Sequence, residues 1–346
     1  MPALPESMRA AVYLEKGSLA VEARPLPELG PRDALLEVSH CGVCGTDLHM
    51  VMEGWGAPGS IGGHEFSGTI AALGPEVHGW ELGEAVIGGG GRGCGECEYC
   101  RRERPSLCAA TSPPGVGEFQ GAFADYVRVD AGALLRVPDG LSLRAAALAE
   151  PLAVALHGIT LSRVRSGQRA FVSGAGPIGA LVVAALRARG VDEICVSEPR
   201  SVRRRLAERL GATRVVEPAE LEVPGMPFEI VDAACEVAFE CSGARDALPA
   251  ALAQLRKTGS CVILGTGMQR PRIDPNRILL NELTLTGGYN YDRDGFPQAL
   301  ELLASGKLPI DDLIESTDVE LGDLQQAMEG LVGGRVAGKV LVAPRS

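Results

Sequence analysis

The sequence predicts an α/β protein of two domains, an irregular barrel-like β domain followed by a doubly wound parallel sheet. The chain has 346 residues, whereas a single hydrophobic core usually stops growing at about 250 to 300 residues. Short β-type runs punctuated by glycine and proline fill the first part of the chain. Strand and helix patterns alternate after Leu141, which is typical of a parallel sheet with right-handed crossovers.

The β domain is predicted from short apolar runs that end at glycine or proline before a helix could form. These runs lie at residues 10–14, 34–38, 67–71 and 122–129. Four consecutive glycines, 88–91, predict a tight or flexible loop after them. We therefore expect little helix in this half of the chain.

The second domain is predicted from apolar segments with alternating strand and helix character. Helices are expected at residues 143–161, 177–189, 201–210, 245–255 and 296–305, and strands at 169–173, 193–197, 215–216, 237–241, 261–264, 283–286 and 339–342. The last strand-like run suggests that the chain returns to the first domain. The expected divisions are 1–148, with a cysteine-rich lobe at about 88–112, then 149–289 and 290–346.

Composition narrows the function classes. The net charge of −11 disfavours nucleic acid as a partner, and apolar and charged fractions of 46% and 22% are ordinary for a folded protein. Residues 1–10 lack the apolar core of a signal peptide, and no apolar run has membrane length. We expect a cytoplasmic protein without a membrane partner, whose ten cysteines are metal ligands or buried thiols.

Four cysteines, Cys94, Cys97, Cys100 and Cys108, lie within fifteen residues. Four thiolates satisfy tetrahedral zinc and leave no open position, so the predicted site is structural. An iron–sulfur cluster is the competing interpretation, because cysteines two residues apart also ligate clusters. Arg101, Arg102 and Arg104, with Arg92, are expected to offset the negative charge of the thiolates.

A glycine-rich loop predicts a dinucleotide site in a Rossmann domain. The segment Gly174-Ala175-Gly176-Pro177-Ile178-Gly179 follows a predicted strand and opens a predicted helix, the context that gives this motif its meaning. Glu198 ends the next strand, where a carboxylate binds both ribose hydroxyls and favours NAD over NADP. NADP remains the alternative cofactor, because arginine can bind a 2′-phosphate and four arginines follow Glu198: Arg203 with its neighbours Arg200, Arg204 and Arg205.

Two further segments, 40–49 and 62–65, concentrate reactive side chains in the β domain: Cys44, Thr46, Asp47, His49, His64 and Glu65. With these motifs the chain resembles the zinc-dependent medium-chain dehydrogenase/reductase family nearly from end to end. The motifs CGxCGTDxH and GGHE, the cysteine lobe, Ala149-Glu150-Pro151-Leu152 and GxGxxG occur in this order. The resemblance implies that the β domain is a GroES-like catalytic domain.

The resemblance also implies a second, catalytic zinc. Cys44 and His64 would be ligands, and Glu65 and Glu150 would fill the remaining positions, one of them directly and the other through water. Thr46 would accept the alcohol proton and His49 would pass it to solvent, while Asp47 would orient the His64 ring. We expect two zinc ions per chain, one catalytic and one structural.

Residues at the ends of later strands are expected to face the cofactor: Ser242, Gly265, Thr266, Gly288 and Tyr289. Trp55 and Phe119 are expected to line the substrate pocket. Glu150 resembles the polyol and butanediol branches of the family, so a secondary alcohol, diol or polyol is the expected substrate, oxidised to the ketone by NAD. Relatives form dimers or tetramers, which implies a homo-oligomer.

Two alternatives remain at this point. One is an NADPH-dependent ketone or aldehyde reductase with the same site. The other is a non-catalytic zinc-binding or redox-sensing protein on this scaffold, although the complete reactive set argues against it.

Overall fold

The computed structural model describes residues 4–88, 93–110 and 120–345. The strands are β1 Ser7–Glu15, β2 Ser18–Pro25, β3 Asp33–Gly42, β4 Glu65–Leu73, β5 Ala85–Gly88, β6 Tyr126–Asp130, β7 Leu135–Arg136, β8 Arg169–Ser173, β9 Glu193–Ser197, β10 Arg214–Val216, β11 Cys235–Glu240, β12 Leu255–Ile263, β13 Thr284–Gly287 and β14 Leu341–Val342. The α-helices are α1 Gly45–Met52, α2 Glu98–Arg101, α3 Leu143–Ala146, α4 Ala149–Ser162, α5 Pro177–Ala188, α6 Ser201–Arg209, α7 Ala247–Ala253, α8 Pro275–Asn281, α9 Gly295–Ala304, α10 Ile310–Leu313 and α11 Leu324–Val332.

The second half of the chain forms a six-stranded parallel sheet in the order β10-β9-β8-β11-β12-β13. The order reverses between β8 and β11, which is the place where doubly wound sheets bind ligands. The bounds of β8 and β9 match the predicted runs, because both strands are short and apolar and are flanked by turns. The predicted α/β class with a Rossmann-type sheet is confirmed.

The first half of the chain forms a mainly antiparallel sheet in the order β14-β3-β4-β5-β7, with β6 also paired to β3. Strands β1 and β2 form a separate antiparallel pair. The end of the chain belongs to this sheet, because Leu341 of β14 is paired with Gly42 of β3. The β-rich character predicted for this half is confirmed.

Several predicted elements are wrong in their extent. The predicted strand 261–264 is the end of the longer strand β12, which begins at Leu255, inside the predicted helix 245–255. Residues 143–161 form two helices, α3 and α4, because Pro151 has no N–H to donate to the carbonyl of Ala147. Residues 122–125 do not belong to β6. The N–H groups of Ala122 and Phe123 instead donate to the carbonyls of Gly63 and Gly62, so this segment supports the loop before His64.

The two sheets meet at the site. His49 Nε2 on α1 lies 3.3 Å from Thr266 Oγ1, beyond the carboxyl end of β12, and a hydrogen bond joins them. This contact places the segment with the first-half motifs beside the strand ends of the parallel sheet, and the space between them is called the cleft below. Among the described residues, no helix is long and apolar enough to cross a membrane.

Candidate active site

The four cysteines of the lobe converge, and their sulfurs all lie within 4.8 Å of one another. Backbone N–H groups donate to several of these sulfurs, including Cys97 N to Cys94 Sγ at 3.2 Å and Cys94 N to Cys108 Sγ at 3.2 Å. The N–H of Cys100 contributes most to lowering the pKa of Cys97 to about 6. Burial raises the pKa of Cys100 to about 11, so the amide bonds do not favour the thiolate at every position, and it is the compact arrangement of four sulfurs that fits a closed tetrahedral zinc site.

The arginines near this lobe do not have the role expected from the sequence. Arg102 pairs with Glu98 at 3.0 Å and Arg104 pairs with Asp292 at 2.7 Å. Arg102 and Arg104 are therefore paired with carboxylates, while backbone amides donate to the sulfurs. Arg92 lies outside the described residues.

A second group of metal-binding side chains lies in the cleft. The ligand atoms of Cys44, His64 and Glu65 all lie within 4.8 Å of one another. Cys44 caps the N-terminus of α1, His64 lies in the loop before β4, and Glu65 begins β4. The turn and strand register therefore bring together a thiolate, an imidazole and a carboxylate, a donor set that fits zinc with an open position.

Glu65 is held by a lysine that the sequence analysis missed. Lys339 Nζ donates to Glu65 Oε1 and Oε2 at 2.8 and 2.7 Å and to the Val43 carbonyl at 3.1 Å. Both side chains are buried. The only signal in the sequence is a lysine directly before the apolar run Val340-Leu341-Val342, where a buried charge requires a partner.

Glu150 occupies a different position. It lies in the first turn of α4, outside the group formed by Cys44, His64 and Glu65. Burial raises the pKa of its carboxyl to about 7 because the charged form loses hydration. Glu65 thus belongs to the group with the cysteine and the histidine, whereas Glu150 lies outside it but near enough for its charge to act on His64.

Asp47 fixes the backbone of both ligand segments. Its carboxylate accepts the N–H of Cys44 at 2.8 Å and the N–H of Gly63 at 3.1 Å. His64 Nδ1 lies 3.9 Å from Asp47 Oδ1, which is too long for a hydrogen bond. In this geometry Asp47 lies close to the His64 ring without a hydrogen bond to it, and its role in orienting the ring stays a prediction.

The residues expected to move the proton lie next to this group. Thr46 Oγ1 is 3.8 Å from Cys44 Sγ. The His49 ring is stacked on Trp55, with the ring centroids 4.7 Å apart. Trp55 is half exposed at this position, and Phe119 lies outside the described residues.

The glycine-rich loop lies between β8 and α5, as the motif requires. Gly176 caps α5, Pro177 is its first residue, and Ile178 and Gly179 follow in the first turn. A side chain at Gly179 would overlap the Gly174 carbonyl, so the close approach of helix and strand requires glycine. The free N–H groups at the start of this helix suit a pyrophosphate.

Glu198 is buried beside this loop, and both of its oxygens already accept backbone bonds. Oε2 accepts the N–H of Ala175 and Oε1 accepts the N–H of Arg200, both at 2.8 Å. Each carboxylate oxygen has a second lone pair, so both can still accept a ribose hydroxyl. These two bonds hold the carboxylate next to the dinucleotide loop.

Two of the arginines that follow are engaged elsewhere. Arg203 donates to the carbonyls of Val336 and Leu331 at 3.1 and 3.2 Å. Arg204 pairs with Glu217 at 2.5 Å. The contact of Arg203 with the cofactor stays a prediction. The Nη1 atom of Arg203 lies near Gly176 of the dinucleotide loop, so such a contact is within reach.

The other end of the cleft is formed by the ends of three strands. Ser242 follows β11, Gly265 and Thr266 follow β12, and Gly288 and Tyr289 follow β13. Glu240 was missed in the sequence analysis. Its Oε1 accepts the N–H groups of Ser242 and Gly243 at 2.8 and 2.9 Å, so a buried carboxylate fixes the turn at the centre of the cofactor edge.

Comparison with known proteins identifies the family. Residues 30–139 match the family described as alcohol dehydrogenase GroES-like domain, and residues 177–305 match zinc-binding dehydrogenase. The chain belongs to the zinc-dependent medium-chain dehydrogenase/reductase family. It is an oxidoreductase of the zinc-type alcohol and polyol dehydrogenases.

Relatives of this dehydrogenase match along almost the whole chain. Sorbitol dehydrogenase of Bacillus subtilis is 31% identical over 94% of both chains. The crystal structure of 2R,3R-butanediol dehydrogenase from Bacillus subtilis superimposes with a TM-score of 0.86 at 31% identity, covering 98% of this chain and all of the other. A zinc-binding dehydrogenase from Sinorhizobium meliloti bound to NADP has a TM-score of 0.87 at 31% identity over the same shares.

Proposed function

We propose that this dehydrogenase oxidises a secondary alcohol, diol or polyol to the ketone and transfers the hydride to NAD. The observation that carries the proposal is the group of Cys44, His64 and Glu65, which lies beside Thr46 on the short segment whose His49 is hydrogen-bonded to Thr266 of the parallel-sheet domain. Such a cluster of thiolate, imidazole and carboxylate beside a cofactor cleft suits metal-assisted hydride transfer.

Two zinc ions per chain form part of the proposal. Cys44, His64 and Glu65 would hold the catalytic zinc, with Glu150 acting through water, and the four cysteines of the lobe would hold the structural zinc. A bound zinc acts as a Lewis acid that lowers the pKa of a coordinated alcohol and so favours hydride release. The lobe offers no open position and takes no part in this chemistry.

The protein's own residues position the reactants and move the proton. The Thr46 hydroxyl would accept the alcohol proton as it gives up its own, and His49 would pass a proton to solvent by way of the cofactor ribose. Asp47 holds the backbone at Cys44 and Gly63, so both ligand segments keep their places when substrate enters. Lys339 donates to both oxygens of the Glu65 carboxylate and so holds that side chain in place beside Cys44 and His64.

The substrate class is supported by two observations. The relatives named above include a sorbitol dehydrogenase and a butanediol dehydrogenase, whose substrates carry neighbouring hydroxyl groups. This chain also has Glu150-Pro151 at the start of α4, as in the polyol and butanediol branches. Trp55 and Phe119 are proposed as walls of the pocket.

NAD is proposed as the cofactor because Glu198 presents a carboxylate to the adenosine ribose and would repel a 2′-phosphate. Reduction of a ketone or aldehyde with NADPH is the second candidate. It is favoured by the NADP bound to the relative from Sinorhizobium meliloti and by Arg200 and Arg205, which are exposed near Glu198.

A homo-oligomer and a cytoplasmic location complete the proposal. Strand β13 is an edge of the parallel sheet, and Leu279 and Leu280 of the adjacent α8 are 71% and 49% exposed. An exposed edge strand beside apolar side chains can pair with a second copy. The thiolate sites proposed here require reduced cysteines, which favours the cytoplasm.

A substrate panel tests the proposal. Secondary alcohols, vicinal diols and polyols are offered with NAD and with NADP, next to matched primary alcohols, and formation of reduced cofactor is followed by absorbance. We expect the highest kcat/KM for a diol or polyol with NAD. A clear preference for NADP would overturn the role given to Glu198, and turnover of primary alcohols alone would overturn the substrate class.

A further inference from the structure

The His49 ring is enclosed by three groups of this chain. Its Nε2 atom is hydrogen-bonded to Thr266, and one face is stacked on Trp55 with an interplanar angle of 19°. Its Nδ1 atom lies 3.5 Å from Glu53 Oε1. Within the described part of the chain, Nδ1 is buried and has no hydrogen-bond partner, so a proton on this atom has no direct route to water.

The local sequence builds this enclosure. Glu53 follows His49 by four residues, which places both side chains on one face of the helical turn. Gly54 then adopts a φ of +82°, a value that side-chain-bearing residues rarely adopt, and the chain reverses. The N–H of Trp55 donates to the His49 carbonyl at 3.3 Å, so the indole is folded back over the imidazole.

The two side chains beside His49 differ in their access to solvent. The side chain of Glu53 is 39% exposed, whereas that of His49 is only 15% exposed. The 3.5 Å separation is about 0.5 Å longer than an ordinary N–H···O hydrogen bond, so transfer of the proton requires the carboxylate to approach Nδ1. Glu53 is therefore placed between the buried Nδ1 atom and water, while Trp55 covers the ring face.

We propose that Glu53 carries the proton released by alcohol oxidation from His49 to solvent, and that Trp55 enforces this route by shielding the imidazole. This inference rests on the proposed dehydrogenase function. A proton that arrives at His49 Nε2 is matched by one that leaves Nδ1 for Glu53 Oε1 and then passes to water. The carboxylate returns to its starting state, and the imidazole is left as its Nε2–H tautomer, which a rotation of the ring resets before the next turnover; neither group gains or loses electrons.

The first test replaces Glu53 by glutamine, which keeps the size and removes the proton acceptor. We expect Glu53→Gln to lower kcat for alcohol oxidation by about tenfold near neutral pH, with KM little changed. Added imidazole buffer, a small diffusible base, should restore the rate in a concentration-dependent way. Glu76→Gln, an exposed glutamate in the turn after β4, is the matched control and should behave as the unaltered enzyme.

The second test uses Trp55→Ala, alone and together with Glu53→Gln. Removing the indole opens the imidazole to water, so the double variant should be faster than Glu53→Gln alone. A kcat of Glu53→Gln equal to that of Glu76→Gln would overturn the inference. The inference would also be overturned if kcat of the double variant fell by the product of the two single-variant losses and imidazole restored none of it. Absence of turnover by the unaltered enzyme on the whole alcohol panel would instead overturn the proposed function itself.

Discussion

Replacing Lys339 by methionine tests how the candidate metal site is built. Methionine keeps much of the apolar stem and removes the ammonium group that donates to Glu65 and to the Val43 carbonyl. Glu65 then remains buried as a carboxylate without its counter-charge. The replacement should therefore destabilise the folded state much more than a surface substitution would.

The magnitude follows from the burial of the pair. Lys339 and Glu65 have side-chain exposures of only 2% and 0%. Breaking such a pair by removing one partner costs about 3 to 5 kcal/mol, because one charge stays buried and unpaired. Replacing both partners removes that uncompensated charge, so Lys339→Met with Glu65→Gln should cost less than the sum of the two single changes.

Urea unfolding of the zinc-free protein measures this effect, because chelation removes any contribution of bound metal. The unaltered chain, both single variants and the double variant are compared by far-ultraviolet circular dichroism, with Lys307→Met as an exposed control. A loss below about 1 kcal/mol for Lys339→Met would refute the reasoning. Strictly additive losses in the double variant would refute the coupling of the pair.

Three further predictions follow from individual contacts. Arg277→Met should lower the free energy of unfolding by about 3 kcal/mol or more in urea titrations. The reason is that the buried guanidinium donates to five backbone carbonyls, those of Leu252, Ala253, Leu255, Pro227 and Glu229. An unchanged urea midpoint would contradict this prediction. Glu198→Ala should raise KM for NAD about tenfold and leave KM for NADP equal or lower in steady-state kinetics, because the ribose hydroxyls of NAD lose an acceptor. An equal rise of KM for both cofactors would show that Glu198 has a structural effect only. Leu279→Glu should shift the protein to a smaller species in size-exclusion chromatography with light scattering, because it places a charge in the proposed subunit contact beside β13. If the variant and the unaltered chain elute alike, α8 is not part of that contact.

Local patterns in the sequence predicted the strands around the glycine-rich loop well. The strands around the glycine-rich loop are short, apolar and bounded by turns, so β8 and β9 have the bounds that the pattern indicates. Glu198 follows β9 directly and needs only local geometry to reach the loop. The convergence of the four cysteines follows from their spacing within one short segment.

Contacts between distant parts of the chain could not be predicted in this way. Lys339 and Glu65 are 274 residues apart, and Thr266 and His49 are 217 residues apart. The first contact depends on the pairing of β14 with β3, and the second depends on how the end of β12 lies beside α1. No local periodicity in the sequence specifies either arrangement. The enclosure of His49 by Trp55 depends on the left-handed conformation of Gly54, which the sequence permits but does not require.

Zinc content and turnover of Cys44→Ser, measured together, test the central claim most directly. The unaltered chain should contain about two zinc ions and the variant about one, because the four cysteines of the lobe remain intact. Alcohol oxidation should fall by about 10³-fold or more while the far-ultraviolet spectrum stays unchanged. A variant that keeps both metals, or that keeps its turnover with one metal, would contradict the assignment of Cys44, His64 and Glu65 as the reactive site.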